Sequence, residues 1–346
     1  MSITVAQFAI LGFAAFALTG LLTWPVRALA IRLGAMDMPN MARKIQPEPV
    51  PYLGGVAIAM GISIVTFGSL FFTNNPDVII ERGLVAIIPA IILGLVGLID
   101  DLKSLAPWPR LLIQTIVGSA IAFIIVQNGT IGTPFGSSSL NTFISIVWIV
   151  GICNSVNFFD NLDGAASGTV AIAALGVFYI AFDRGQELVS ALSIVTTGAT
   201  LGFLMWNKSP AKIYMGDAGA LFLGVIISVA TIRLNPGISP TWQSLAIPVV
   251  LLAVPLLDTC VAVISRLSRG ISPLTGGRDH LSHRLVRIGL TRRTAAVSLW
   301  FASGISAVCA VGIYRFTDFY RSTTIILFGL LWLVALVLFL RISSQD

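Results

Sequence analysis

Apolar runs separated by short polar breaks recur from one end of this chain to the other, and they restrict its fold more than any other feature. "FAILGFAAFALTGLLTW" and "FISIVWIVGIC" are two of them. A helix needs about 20 apolar residues to cross the hydrocarbon core of a bilayer. Of 346 residues only 21 are basic and 15 acidic, too few to cover a soluble domain of this length. The expected fold class is therefore an all-α polytopic membrane protein.

Segments between polar breaks predict eleven helices, at 4–29, 53–72, 82–99, 110–127, 141–158, 165–182, 188–206, 218–234, 244–265, 294–314 and 323–341. The first lacks the basic lead and small-residue cleavage site of a signal peptide, so it is expected to remain as a helix. No long linker, low-complexity tract or internal repeat divides the chain, and residues 1–346 are read as one integral membrane domain.

Cytoplasmic loops of membrane proteins hold an excess of lysine and arginine. With the N-terminus outside, every basic residue except Arg82, Arg184, Arg233, Arg315 and Arg321 falls inside. The net charge of +6 then follows from topology and anionic lipid, and nucleic acid is not needed as a partner. Cys153, Cys260 and Cys309 lie in or beside apolar segments without CxxC spacing, and read as small hydrophobes.

The same orientation places all the unusual polar stretches on one face. In "LIDDLKSL", Asp100 and Asp101 are adjacent carboxylates at a helix end, where mutual repulsion calls for a metal or cationic partner, although a solvated terminus would also hold them. In "NSVNFFDNLDG", helical spacing puts Asn154, Asn157 and Asn161 on one stripe beside Asp160, with Asp163 before Gly164. Amides suit a base or sugar hydroxyl and carboxylates suit a metal or proton; bonding between helices is the plainer alternative. In "IYMGDAGALFLG", Asp217 lies between glycines at a helix start, a place for a phosphate and one corner of a hydrated Mg²⁺, with Tyr214 near enough to stack on a base. In "GGRDHLSHRLVRIGLTRR", His280 and His283 stand among Arg278, Arg284, Arg287, Arg292 and Arg293. A zinc site would need more ligands, whereas arginine forks match phosphate, and positive-inside anchoring accounts for some of them.

In this order, the motifs resemble the polyprenyl-phosphate N-acetylhexosamine-1-phosphate transferase family. It includes the bacterial enzymes that start O-antigen, enterobacterial common antigen and teichoic acid linkage units, and the muramoyl-pentapeptide transferase of peptidoglycan synthesis. The resemblance runs from about Asp37 to Arg293. It implies that Arg43 and Lys44 with "PVPYLGG" form the first cytoplasmic loop, and that Asp100 and Asp101 are the aspartate pair. Arg110 with Gln114 would reach the diphosphate, and Asn154, Asn157, Asp160 and Asp163 match the Asn-x-x-Asn-x-x-Asp-x-x-Asp pattern. Asp217 matches the magnesium aspartate, Tyr214 the uracil-stacking aromatic, and His280 and His283 the histidine motif, with Arg278 and Arg284 beside them as substrate contacts. Three positions depart from the pattern: Asn161 replaces glycine, Gln46 a histidine, and Ser282 a further histidine. "HLSHR" thus favours the UDP-N-acetylhexosamine branch over the muramoyl-pentapeptide one.

The implied reaction moves a sugar 1-phosphate from a UDP-N-acetylhexosamine, N-acetylglucosamine first among them, to polyprenyl phosphate and releases UMP. Mg²⁺, or Mn²⁺ in its place, would sit on Asp217; Asp100 or Asp101 would deprotonate or position the lipid phosphate; Asp160 and Asp163 would organise the nucleotide or metal. Arg110, His280 and His283 would stabilise phosphate charge. Direct attack and a two-step route through an aspartyl intermediate both fit. The implied location is the bacterial cytoplasmic membrane with the site on its cytoplasmic face, and a homodimer is compatible with the resemblance.

Two other readings fit the sequence less well. A CDP-alcohol phosphotransferase needs Asp-Gly-x-x-Ala-Arg, whereas this chain continues "DGAASGTVAIAALG". An ion-coupled transporter would place acids near the middle of helices, and here they gather at helix ends. Asp258 is the exception, expected to support the nucleotide pocket.

Overall fold

The computed structural model describes residues 4–38, 48–69 and 76–342, with the backbone alone for 76–82. Arg43, Lys44 and Gln46 lie outside the described residues. Helix α1 (Val5–Arg32) starts where Thr4 and Gln7 cap each other reciprocally. Two short antiparallel strands follow, β1 (Met36–Asp37) and β2 (Val50–Pro51), with Met36 opposite Pro51. Next come α2 (Gly54–Ser69), α3 (Pro76–Lys103), α4 (Pro107–Gln127), α5 (Ser138–Phe159), α6 (Ala165–Asp183), α7 (Glu187–Asn207) and α8 (Gly216–Arg233). The chain finishes with α9 (Thr241–Leu251), α10 (Ala253–Leu267), α11 (Leu281–Arg287), α12 (Arg292–Arg315) and α13 (Asp318–Arg341).

Among the described residues nine helices are long and apolar enough to cross a membrane, or ten if α9 and α10 form one bent span. Helix α8 is apolar on every side and sits at the centre, packed by α2, α3, α5 and α7. Helix α13 is the opposite case: none of its residues is buried, and Leu331, Val334 and Leu338 are exposed. An apolar helix with no protein covering its outer side is suited to lipid.

Two expectations need correction. The single helix expected at 244–265 is broken, because α9 and α10 meet at 76°. Pro248 and Pro255 flank the break, and Pro255 has no N–H to continue the helical ladder. The loop after α10 also contains a short helix, α11, that periodicity alone did not reveal. The second expected helix, 53–72, is observed as α2, and its last expected residues lie outside those described.

The C-terminal ends of α3, α5 and α10 and the N-terminal ends of α4, α8 and α12 line one cavity at a single end of the bundle. Polar stretches far apart in sequence therefore share one face.

Candidate active site

The site begins with a close approach of backbones. Gly216 opens α8 with φ +71°, and a Cβ there would stand 2.6 Å from an Asp101 carboxylate oxygen. A Cβ on Gly97 would stand 2.3 Å from the Asp217 carbonyl, so α3 lies directly against the first turn of α8. This contact aims Asp101 at amides that no helical carbonyl can satisfy. Its two oxygens accept from Asp217 N–H at 2.9 Å and Ala218 N–H at 3.1 Å. Asp101 is thereby the N-terminal anchor of α8.

Its neighbour Asp100 faces the other way. It accepts from Leu105 N–H at 2.6 Å and pairs with the Arg110 guanidinium. The same Arg110 Nη1 reaches Asp217 Oδ2 at 2.6 Å, and Asn157 Nδ2 donates to Asp217 Oδ1 at 2.8 Å. Two carboxylates bracketing one guanidinium, with an amide behind, thus form a wall drawn from α3, α4, α5 and α8.

The turn after α5 supplies the next segment. Asp160 closes α5 and lines the cavity. Withdrawal from water pushes its carboxyl up to about 7; the charges of Asp101 and Asp163 add to this, and the Gly216 N–H opposes it. Asp163 accepts from Ala211 N–H at 3.0 Å, tying this turn to the 208–214 loop. Asn207 fastens the same junction, accepting from Gly164 N–H at 3.1 Å and donating to Ile213 O at 3.0 Å. Tyr214 borders the cavity, where burial and then the Asp163 charge keep its phenol protonated. Tyr52 stands beside it through a parallel bridge.

The opposite wall comes from one stretch of chain, 258–292. Arg266 bonds Asp279 at 2.9 Å and the Pro273 carbonyl at 2.8 Å, approaches His280 Nε2 at 3.2 Å, and lies over the Phe158 ring at 5.5 Å. His280 Nδ1 is 2.7 Å from buried Asp258. His283 lines the cavity with its ring 6.2 Å from that of His280. Desolvation lowers its pKa to about 4, so it is neutral near pH 7.

The cavity between the walls is about 650 Å³. It takes in Asp100, Asp101, Arg110, Asn157, Asp160, Asp163, Tyr214, Asp217, His280 and His283 among the residues singled out in the sequence. Four others, Asn154, Gln114, Arg284 and Arg278, stand elsewhere. Asn154 is turned into the bundle, donating to Gln114 Oε1 at 2.7 Å and Val150 O at 2.8 Å, and Gln114 is itself buried. Of the amide stripe only Asn157 and Asn161 reach the cavity, and Gln114 does not line it. Arg284, expected as a substrate contact, is 1% exposed: it bonds Asp279 O, Ser265 Oγ and the last carbonyls of α13, Phe339 O and Ile342 O. It joins α11 to the C-terminal end of α13, where a cation is favoured. Arg278 does not line the cavity either.

Several lining residues were not chosen from sequence. Arg292 was one member of the basic cluster around the histidines, Tyr52 sat in "PVPYLGG", and Asp37 and Arg266 carried no distinguishing pattern. Asn161 and Ser282, both departures from the family pattern, are hydrogen-bonded to each other across the two walls.

Among the described residues no cluster of three or more histidine, cysteine or acidic side chains is arranged to hold a metal. Zinc has no ligand set there. Mg²⁺ asks less of the protein, one or two carboxylates with water and substrate phosphate completing its shell. Asp217 and Asp100, which bracket a cation already in the form of Arg110, fit that requirement.

Fold and site together define a polytopic membrane protein with a charged, oxygen-rich cavity where its helices end. Residues 83–235 match the family described as glycosyl transferase family 4. The chain is 32% identical to the "Probable undecaprenyl-phosphate N-acetylglucosaminyl 1-phosphate transferase" of Bacillus subtilis strain 168, over 97% of this chain and 91% of that protein. It is 30% identical to the "Decaprenyl-phosphate N-acetylglucosaminephosphotransferase" of Mycolicibacterium smegmatis, over 97% of this chain and 88% of the relative. A "Phospho-N-acetylmuramoyl-pentapeptide-transferase" of Streptococcus thermophilus is 31% identical over 59% of this chain and 65% of its own length. The chain belongs to glycosyl transferase family 4.

Proposed function

We propose that this chain transfers N-acetylglucosamine 1-phosphate from UDP-N-acetylglucosamine to polyprenyl phosphate, at the cytoplasmic face of a bacterial cytoplasmic membrane. One observation carries the reading: carboxylates, amides and guanidinium groups from separate stretches face one cavity of about 650 Å³ at the helix ends. The relatives that align over nearly the whole chain support N-acetylglucosamine as the sugar. The positions of the lysines and arginines support the cytoplasmic side.

In the reaction an oxygen of the lipid phosphate attacks the donor phosphorus that bears the sugar. The bond from that phosphorus to the bridging oxygen breaks, UMP leaves, and the product is a polyprenyl diphosphate sugar. Phosphoryl transfer of this kind depends on positioning and charge neutralisation. Asp217, with Asp100 opposite, would hold Mg²⁺ or Mn²⁺, which when bound neutralises diphosphate charge. Arg110, between those carboxylates, is placed to meet a phosphate oxygen. Asp101 acts through α8, keeping Asp217 in place. Asp160, with its pKa near neutrality, can take up or release a proton as charge enters. Tyr214 and Tyr52 offer aromatic surface for the uracil.

The test is UMP release by purified protein with undecaprenyl phosphate, Mg²⁺ and a panel of UDP-sugars. Release that requires both lipid and Mg²⁺ and is fastest with UDP-N-acetylglucosamine is expected. Release with another sugar alone would reassign the donor, and hydrolysis without lipid would reject the transfer.

A further inference from the structure

We propose that Asp258 is a positioning residue of this site: it fixes the tautomer of His280, which makes Nε2 the acceptor that holds Arg266 at the cavity wall. The inference rests on the transfer reading for its activity arm, and on geometry alone for the tautomer.

Asp258 is 0% exposed and comes from the middle of α10, just past the bend. One oxygen accepts from Leu281 N–H at 2.7 Å, and the other lies 2.7 Å from His280 Nδ1. On the far side of the ring, Arg266 Nη2 lies 3.2 Å from His280 Nε2. A guanidinium only donates, and a carboxylate only accepts. With the proton on Nε2, one lone pair would face the carboxylate and one N–H would face the guanidinium, so both contacts would repel. With both nitrogens protonated, Nε2–H would still oppose Arg266. Only the neutral Nδ1–H tautomer satisfies both partners, and it leaves neither ring nitrogen for substrate.

Arg266 is the group this arrangement serves. Its bonds to Asp279, Pro273 O and His280 fix the plane of the guanidinium over Phe158. These use three of the five N–H donors a guanidinium carries. The remaining two belong to a side chain that lines the cavity. A planar fork held on three sides suits a phosphate oxygen of the donor. The chain of contacts runs from a carboxylate buried in the helix, through an imidazole, to a cation that is 2% exposed and borders the cavity.

The chain has two histidines, so the tautomer can be read directly. Full-length protein labelled with ¹⁵N-histidine, in lipid nanodiscs, is examined by long-range ¹H–¹⁵N correlation, with His283→Gln supplying the assignment. A protonated Nδ1 and a bare Nε2 are expected for His280; protonation of Nε2, alone or with Nδ1, would overturn the assignment. In Asp258→Asn the introduced amide keeps Leu281 N–H with its carbonyl and turns its NH₂ to Nδ1, so the proton is expected to move to Nε2. KM for UDP-N-acetylglucosamine should then rise about tenfold to a hundredfold, the effect of one charge-assisted hydrogen bond, with a smaller change in kcat. An inverted tautomer with KM within about twofold of wild type would break the link to Arg266. Should Asp258→Asn fail to fold, His280→Asn retains the bond to Asp258 and removes the Nε2 acceptor, and the same rise in KM is expected. The resonance result is independent of turnover, so wild-type protein that transfers no sugar would reject the functional reading and leave the tautomer assignment standing.

Discussion

The two walls of the cavity are built in opposite ways. The acidic wall takes one or two side chains from each of four helices, and its carboxylates face the open space or the first turn of α8. The basic wall comes from one continuous stretch running from α10 to the start of α12, and much of its charge is used internally. Arg284 joins helix ends, while Arg266 and Arg269 both pair with Asp279. Charge counted along a sequence is therefore a poor measure of charge offered to a ligand. The acidic wall presents its groups because helix ends converge there; the basic wall must first hold its own loop together.

The sharpest test of this contrast removes the groups that face the cavity. Asp217→Ala is expected to lower kcat by about a thousandfold or more with unchanged thermal unfolding, measured by UMP release and a melting curve. Retained turnover would mean that the acidic wall is structural.

Asp100→Asn against Asp101→Asn separates two adjacent carboxylates. The first is expected to reduce kcat by about a hundredfold with little loss of stability, since it leaves α8 capped. The second should weaken the anchoring of α8 by about 1–2 kcal/mol, seen as a lower melting temperature before any kinetic effect is considered. Equal behaviour of the two variants would erase the distinction drawn from their hydrogen bonds.

On the basic wall, Arg284→Ala should lower the melting temperature, because it leaves carbonyls of α13 unpaired near the end of the chain. KM of the folded fraction should stay within about twofold. A large rise in KM with normal melting would restore Arg284 to the substrate.

A further prediction concerns pH. His283 binds its proton less readily folded, with a pKa of about 4 against 6.5 for the free side chain, so the unfolded state holds more protons between those values. Its contribution to stability is complete above about pH 6.5 and declines as pH falls towards 4. Replacing His283 by Asn should flatten that part of a melting temperature profile; an unchanged slope would assign the acid sensitivity elsewhere.

The spans were legible because twenty apolar residues have few other fates, and most helix ends were placed to within a few residues. The break at Leu252 was less so: Pro248 and Pro255 stand in the sequence, but a proline can kink or end a helix, and packing decides which. Asp100, Asp101, Asn157 and Asp217 were found as motifs, yet their partnerships were not, since Asp101 meets α8 only because Gly97 and Gly216 let two backbones touch. Arg284 misled for a related reason: nothing in "HLSHRLVR" indicates that its guanidinium reaches the carbonyls of a helix more than fifty residues later. Asp258 stands out in the sequence as an acid away from the helix ends, and its two partners, His280 Nδ1 and Leu281 N–H, explain it.

The most direct measurement is transfer of label from UDP-[¹⁴C]N-acetylglucosamine to undecaprenyl phosphate in lipid nanodiscs, comparing wild-type protein with Asp217→Ala. Label in a lipid-soluble diphosphate product, formed with one UMP per sugar by wild type and not by the variant, is the predicted result. Wild-type protein that is folded and binds the donor but leaves all label water-soluble would contradict the account.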